Sequence, residues 1–409
     1  MFRPNQVLPF LSCLGISWFG LAGDFQIPKI HGWAYQLQDI VIDEVAANNT
    51  FNLFVMDYSE DGTHDGRFSR PDIESIRASG KTVLAYISIG EAESYRFYWQ
   101  SGWDKNGDGI PDAGAPAWLG PENPDWEGNY KVRFWYPGWQ RIVLAMVDTL
   151  EAQGFDGIYC DIIDAYEYWS DDTAEEPKAD SLMVQFLLRI RSHADSLRQP
   201  LFIVPQNGES LAWQPHVDES SREAFFSAIQ AIGVEDVFFP GPRDEDNFFR
   251  PDAERIDKLM VFKNMGKPVL SVEYITLKLH KRVFVDTCQS LGFYPYATIR
   301  DLDRLNDGID TAVPPTEREN AFPVLRIHPN PFNSALTIRV SLPGPASYRL
   351  EIFDVLGRSV RLWTGMAQSG DGILWDCRDQ VGREVAAGNY FVQLRSGTHT
   401  VIQKAVYIR

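Results

Sequence analysis

Between residues 31 and 300 the chain repeats one pattern eight times: a short apolar segment, then a more polar stretch that often carries helical spacing. The apolar segments run from Trp33 to Gln38, Leu53 to Ser59, Thr82 to Glu91, Gly157 to Asp164, Leu201 to Glu209, Ala228 to Phe239, Pro268 to Ile275 and Tyr294 to Arg300. Short, nearly continuous apolar runs are what parallel strands buried on both faces require. Between them, Pro137 to Gln153 opens on a proline suited to a first helical turn and repeats Ile142, Ala145, Met146 and Leu150 at helical spacing, and Asp180 to Arg198 reads as a second helix. Eight βα units in about 270 residues predict an α/β fold, a TIM (β/α)8 barrel over residues 24–305.

Nearly every apolar run ends in acids or amides: Asp57, Glu91, Asp161 with Asp164, Gln206 with Asn207 and Glu209, Glu235, Glu273 and Asp301. In such a barrel the C-terminal strand ends form the floor of the active site. Carboxylates gathered on one rim repel and cost stability unless something uses them, so an acidic functional cleft is expected. The plainer alternative is that the charges only mark where strands leave the core.

Acids also dominate the large part of the chain as a whole. The formal charge is -18, but residues 322–409 carry ten Lys or Arg against six Asp or Glu, leaving 28 against 50 in the first 321 residues. Phosphate binding needs a basic face, so a nucleic-acid groove in the large part is not expected on that balance. A neutral or cationic substrate fits an acidic cleft.

The connection from Ala92 to Asp156 is long and holds six of the twelve Trp: Trp99, Trp103, Trp118, Trp126, Trp135 and Trp139. Such rings either stack on sugar faces or pack into a small local core. Within it, Asp104, Asn106, Asp108 and Asp112 stand at positions 1, 3, 5 and 9 of a calcium-loop pattern with Gly109 at position 6, while Ala115 replaces the bidentate Glu at position 12. A structural calcium or an Asx-rich turn both fit this segment.

The first 23 residues, with Arg3, an apolar run from Val7 to Leu21 and small residues after it, read as a signal peptide. No later segment is long and apolar enough for a transmembrane span. Cys160, Cys288 and Cys377 remain after it, an odd and widely spaced set expected as buried, inert thiols. Residues 306–323 read as a linker around Val313-Pro-Pro-Thr316, and short alternating runs from 324 to 409 predict a small antiparallel β-sandwich. No Walker loop, zinc-spaced His pair, dinucleotide glycine motif or Gly-x-Ser-x-Gly competes.

Six segments in order carry a resemblance. They are Gln36-Leu-Gln38, Val55-Met-Asp57-Tyr-Ser59, Ala85 to Arg96, Gly157-Ile-Tyr-Cys-Asp161-Ile-Ile-Asp164-Ala-Tyr166, Pro205-Gln-Asn207-Gly-Glu209 and Gly233-Val-Glu235-Asp236. Together they are similar to the family-114 glycoside hydrolases and their bacterial relatives. The resemblance implies a TIM-barrel endo-glycosidase acting on α-1,4-linked galactosamine-containing polysaccharide, with an Asp after the fourth strand and a Glu after the sixth as the catalytic pair. Here these are Asp161, expected as nucleophile, and Glu235, expected as acid/base, with Asp161 and Glu209 as the alternative pair. Asp57, Glu91, Asp164, Tyr166, Asn207, Glu209 and Glu273 are expected to bind substrate, with Arg96 either a counter-ion to several of the acids or part of a surface ion pair. Two carboxyl groups suffice for this chemistry, so no cofactor is required. A non-catalytic glycan-binding barrel is the rival reading.

The C-terminal segments Pro329-Asn-Pro-Phe-Asn333, Ile352 to Arg358, Trp375 to Asp379 and Ala387-Gly-Asn-Tyr390 resemble the sorting domains of the type IX secretion system. That resemblance implies the secretion machinery as a partner and a secreted or cell-surface location.

Overall fold

The computed structural model describes residues 26–305, 324–342, 346–355, 357–367, 372–396 and 399–408. The expected signal segment and linker lie outside these residues. The chain divides into two compact units, Met1–Pro314 and Pro315–Arg409.

The first unit runs β1 (Trp33–Gln36), α1 (Ile42–Ala47), β2 (Leu53–Met56), α2 (Arg70–Ala78) and β3 (Thr82–Ser88). An insertion of β4 (Glu91–Glu93), β5 (Leu119–Glu122) and β6 (Asn129–Val132) follows. Then come α3 (Pro137–Gln153), β7 (Gly157–Asp161), the single turn α4 (Ala165–Glu167), α5 (Ala179–Ser196), β8 (Phe202–Pro205) and α6 (Glu219–Ala228). β9 (Ile232–Glu235), α7 (Ala253–Asn264), β10 (Val269–Tyr274), α8 (Lys278–Leu291) and β11 (Tyr294–Thr298) complete it.

Local sequence sets the helix ends. Ser69 and Asp72 form a reciprocal capping box at α2. Pro137 sits in the first turn of α3, and Gly154, at φ 95°, closes it in a left-handed conformation that turns the chain into β7.

The eight strands alternating with helices lie in space as they lie in sequence: β1-β2-β3-β7-β8 in one sheet and β9-β10-β11 in another, every pair parallel. A parallel bridge between Gln206 and Gly233 joins β8 to β9, supported by a 2.9 Å hydrogen bond from Asn207 N to Gly233 O. Every residue of β1, β2 and β3 is buried, as the continuous apolar runs require. Because all the strands run the same way, their C-terminal ends open on one side.

Several strands are shorter than their apolar runs. β7, β8 and β9 give out where Ile162, Asn207 and Asp236 take φ values of 58°, 56° and 54°. A left-handed residue cannot continue a pleated ladder, so each strand ends there.

β4, β5 and β6 form a small antiparallel sheet in the order β4-β6-β5. Beside it the aromatic rings pack on one another: Trp99 to Trp103 at 5.2 Å, Trp103 to Trp118 at 5.2 Å and Trp118 to Trp139 at 5.1 Å between centroids. Five of the six Trp in this connection are therefore buried or half-buried in a local core, and only Trp126, 52% exposed, offers its ring to solvent.

The second unit is β-rich. β12 (Val324–His328), β13 (Leu336–Ser341) and β16 (Gly372–Trp375) form one antiparallel sheet, and β14 (Ala346–Asp354), β15 (Ser359–Ala367), β17 (Gly388–Ser396) and β18 (His399–Tyr407) another, in the order β15-β14-β17-β18. Leu336, Ile338, Leu350, Ile352, Trp375, Val392 and Leu394 build their common core. The Pro329-to-Asn333 motif is stitched to β18: Asn330 Nδ2 donates to Lys404 O at 2.8 Å while Asn330 Oδ1 accepts from Val406 N at 2.8 Å. Phe332 stacks on Tyr407 with centroids 5.3 Å apart.

Candidate active site

Asp161 is the last residue of β7 and Glu235 the last of β9. Both line one cavity of about 470 Å³ at the C-terminal strand ends, together with Tyr35, Tyr86, Tyr274, Tyr95, Trp126 and Arg300.

The Asp161 carboxylate accepts a 2.7 Å hydrogen bond from Tyr86 Oη through Oδ2. Tyr86 on β3 lies opposite Tyr159, two residues before Asp161, so the strand register itself sets this diagonal contact. Burial and then the charge of Glu235 push the Asp161 carboxyl well above the usual carboxylate range, against the Tyr86 hydrogen bond.

Glu235 is held from several sides. Its Oε1 accepts from Asn207 Nδ2 at 3.0 Å, and its Oε2 accepts from Tyr274 Oη at 2.6 Å. Tyr274 stands two residues beyond Val272, the partner of Glu235 on β10, and so shares its face. Arg300 lies with its guanidinium 3.6 Å from the Tyr274 ring centre, Nη1 3.7 Å from Glu235 Oε2 and Nη2 2.9 Å from Asp236 Oδ2. Behind the carboxylate, Arg255 donates to Glu235 O at 3.0 Å and to Asn207 Oδ1 at 3.1 Å, and its Nε meets Glu209 Oε1. Because Asn207 Oδ1 accepts from both Arg255 and Glu235 N, its amide NH₂ must face the Glu235 carboxylate.

A second cavity of about 310 Å³ adjoins the first at Glu235, which lines both. Asp164, Glu167, Asn207, Glu209, Ser210, Asp236 and Arg255 make up the rest of its wall. Loss of water, followed by the charges of Glu167 and Glu235, pushes the Asp164 carboxyl up to about 7.

The other candidates fall in different places. Asp57 reaches the larger cavity, but both its oxygens accept from Arg96, at 2.9 and 2.7 Å, and Arg96 Nε also bonds Glu93 Oε2 at 2.7 Å. Arg96 is thus a buried counter-ion for two acids and not a surface pair. Glu91 is buried against Asn123 and Lys131 and lines neither cavity. Tyr166 is buried, donating to Glu167 Oε1 at 3.2 Å and accepting from Gln214 Nε2 at 3.1 Å, and also lines neither.

Glu273 departs furthest from the substrate-binding expectation. It is fully buried and accepts from Phe238 N at 2.7 Å and Phe239 N at 3.2 Å, so its carboxyl ties down the chain leaving β9. Burial pushes the Glu273 carboxyl up to about 8. Glu209 lines only the smaller cavity, which Asp161 does not line, and its Oε1 is paired with Arg255.

In the loop from 104 to 112, Asp104 accepts from the N–H groups of Gly107 and Gly109, each at 2.9 Å, and from Tyr130 Oη at 2.7 Å. Asp108 Oδ2 accepts from Asn106 Nδ2 at 2.8 Å and Asp112 Oδ2 from Lys105 N at 2.9 Å. Among the described residues no group of three or more His, Cys, Asp or Glu is arranged to hold a metal ion.

The site residues that sequence reasoning missed are Tyr86, Tyr274, Arg300 and Arg255. A signal existed for the first two: tyrosines recur in otherwise aliphatic strand runs, and a buried Tyr hydroxyl needs a partner. Arg255, on α7, stands far from any strand end in sequence.

Residues 20–313 match the model of glycoside-hydrolase family GH114, and residues 326–408 match the secretion system C-terminal sorting domain. An uncharacterized protein of Methanocaldococcus jannaschii is 39% identical over 284 residues, covering 67% of this chain and 78% of that protein. One of Thermotoga maritima is 32% identical over 295 residues, covering 70% and 85%. Among solved structures, the glycoside hydrolase domain of PelA from Pseudomonas aeruginosa aligns with a TM-score of 0.47 at 16% identity over 68% of this chain and 97% of that one. Ega3 of Aspergillus fumigatus in complex with galactosamine aligns with 0.48 at 17% identity over 66% and 92%.

The chain belongs to glycoside-hydrolase family GH114 and ends in a secretion-system sorting domain. The sorting domain points to secretion or the cell surface, with the secretion machinery as a partner. No helix among the described residues is long and apolar enough to cross a membrane.

Proposed function

We propose that this protein is a type IX-exported endo-glycoside hydrolase that cleaves an α-linked, galactosamine-containing polysaccharide on a closed (β/α)8 barrel. Asp161 acts as nucleophile and Glu235 as acid/base, and no cofactor takes part. The observation that carries the role split is that Asp161 lines the larger cavity alone while Glu235 lines both. The proton donor must reach the oxygen between two sugars, and the nucleophile must reach the anomeric carbon of only one. Family membership and the acid excess of the first 321 residues support the amino-sugar polymer as substrate.

In the first step an Asp161 oxygen bonds to the anomeric carbon, the glycosidic C–O bond breaks, and Glu235 gives its proton to the leaving oxygen. In the second, Glu235 takes a proton from water as the water oxygen replaces Asp161 at that carbon. In the resting protein, burial and the charge of Glu235 favour the protonated form of Asp161, so the attack requires that Asp161 first give up its proton. The donors held on Glu235 by Tyr274 and Asn207 keep that carboxylate ready to act as base in the second step.

Reducing-end release from a panel of amino-sugar and neutral polymers tests the reading. Asp161→Asn and Glu235→Gln should each lower kcat by a factor on the order of 10³ while polymer binding persists. A wild-type protein that binds polymer without releasing ends would instead be a glycan-binding barrel. Azide rescue of Asp161→Gly, giving an inverted glycosyl azide, assigns the nucleophile; rescue of Glu235→Gly in its place reverses the roles.

A further inference from the structure

Four large apolar side chains stand in solvent at one corner of the first unit. Phe248 is 77% exposed, Leu279 69%, Leu277 52% and Phe249 44%. They come from the loop that leaves β9 and from the start of α8, which follows β10, and because both strands run parallel with the rest, this corner stands on the side where the cavities open. None of the four lines either cavity.

The loop is fixed in place, so the exposure is not that of a loose end. Buried Asn247 donates from Nδ2 to Arg243 O at 2.8 Å and accepts through Oδ1 from Arg243 N at 3.1 Å. Phe249 packs on buried Phe239, with centroids 5.3 Å apart, and Phe239 packs on His280 of α8 at 5.0 Å. Asp246 Oδ1 accepts from Thr276 N at 2.9 Å and from Leu277 N at 3.1 Å, which ties the loop to the helix start. The two segments therefore present one surface.

Charge sets this corner apart from the unit that carries it. Residues 240–250 and 276–282 hold five Lys or Arg against three acids, whereas the first 321 residues hold 28 against 50. Of those three acids, Asp246 is taken up by the helix start and by His280, Glu245 Oε1 accepts from Arg300 N at 3.3 Å, and Asp244 faces solvent. Arg243 lies over the Phe248 ring at 5.2 Å, and Arg243, Arg250, Lys278 and Arg282 are exposed and enter no ion pair among the described residues. Apolar side chains protruding among cations match the boundary between headgroups and acyl chains of an anionic bilayer. A sugar is better met by rings that carry polar groups, and these four side chains have none.

We propose that this corner binds the surface of an anionic lipid bilayer, with Phe248, Phe249, Leu277 and Leu279 entering the headgroup boundary and Arg243, Arg250, Lys278 and Arg282 meeting the phosphates. The inference is independent of the catalytic assignment. The acid excess elsewhere does not cancel it, because exposed charges more than about 8 Å away are largely screened at physiological salt. Bound in this way, the barrel holds the side on which its cavities open next to the lipid surface, within reach of a polymer held there.

The full chain is mixed with vesicles of equal parts phosphatidylglycerol and phosphatidylcholine doped with a photoactivatable lipid, and the cross-linked peptides are located by mass spectrometry. Cross-links should fall in residues 243–250 and 277–282, on the order of tenfold more abundant than on phosphatidylcholine alone, and should decline as salt is raised. Phe248→Ser combined with Leu279→Ser should lower them by on the order of tenfold, while the urea midpoint and the binding of soluble galactosamine polymer keep their wild-type values. Lys278→Glu combined with Arg282→Glu should erase the preference for anionic vesicles, and it decides alone if the serine variant fails to fold. Cross-links that lie only in other segments, that are as abundant on phosphatidylcholine, or that survive the serine substitutions overturn the proposal. So does a serine variant that loses polymer binding, which would make the corner a sugar platform, or one that abolishes concentration-dependent self-association of the wild type, which would make it a contact between copies.

Discussion

At the scale of single residues, the site is built by the amino acids that follow and face the two acids. Ile162 and Asp236, directly after Asp161 and Glu235, both hold left-handed backbone, and for a β-branched isoleucine that conformation is costly. It halts each strand where its carboxylate must project. Tyr274 fixes the Glu235 carboxylate in place through the 2.6 Å hydrogen bond it donates to Oε2. Tyr274→Phe should therefore lower kcat by roughly tenfold with KM little changed. A kcat that stays at the wild-type value would show that Tyr274 only fills space. Gly233 matters for a different reason. A β-carbon placed there, on β9 two residues before Glu235, would lie 1.9 Å from the hydroxyl of Tyr159 on β7. Gly233→Ala should cost about 1–3 kcal/mol in denaturant unfolding; an unchanged midpoint would mean that β9 can shift freely.

At the scale of elements, Glu273 shows how a strand-end acid can serve structure. From β10 it receives the backbone N–H groups of Phe238 and Phe239, fixing the segment that leaves β9. Burial holds its folded value near 8 against an ordinary value of 4.5. Between these values the unfolded chain releases the proton and the folded chain keeps it, so the wild type loses stability as pH rises from 4.5 to 8. Glu273→Gln cannot ionise and should escape that loss. The gap between the two proteins should move in the variant's favour by about 1–4 kcal/mol between pH 4 and pH 8, read from urea unfolding at each pH. Parallel pH dependences in the two proteins would place the charged form of Glu273 in the folded state. The antiparallel insertion β4-β6-β5 makes the complementary point. Its tryptophans gain more from packing on one another than from waiting for sugar, and Arg96, fixed between Asp57 and Glu93, ties the insertion to the end of β2.

At the scale of the whole molecule, two cores with no residue in common accompany two opposite charge balances. Independent cores predict independent unfolding. Calorimetry should resolve two transitions, and Trp375→Ala, which empties the centre of the second core, should lower one of them by about 3–5 kcal/mol without changing the temperature at which hydrolytic activity is lost. A single transition, or activity lost together with the second core, would contradict this.

The sequence alone determined the alternation of buried strands and helices, the acidic strand ends, the β-rich C-terminal part and the family. Each of these is written locally, in hydrophobic period, in proline and glycine at helix ends, or in short motifs. It located Asp161 and Glu235 as candidates for the same reason. It did not separate Asp57, Glu91 and Glu273 from them, since all are acids at strand ends. Only the tertiary structure decided which acids open on a cavity, which are neutralised by Arg96, Arg255 or backbone N–H groups, and that Glu235 stands between two cavities. The physical reason is that a carboxylate's role is set by its neighbours' charge, donors and access to water, and those neighbours come from strands and helices far apart along the chain.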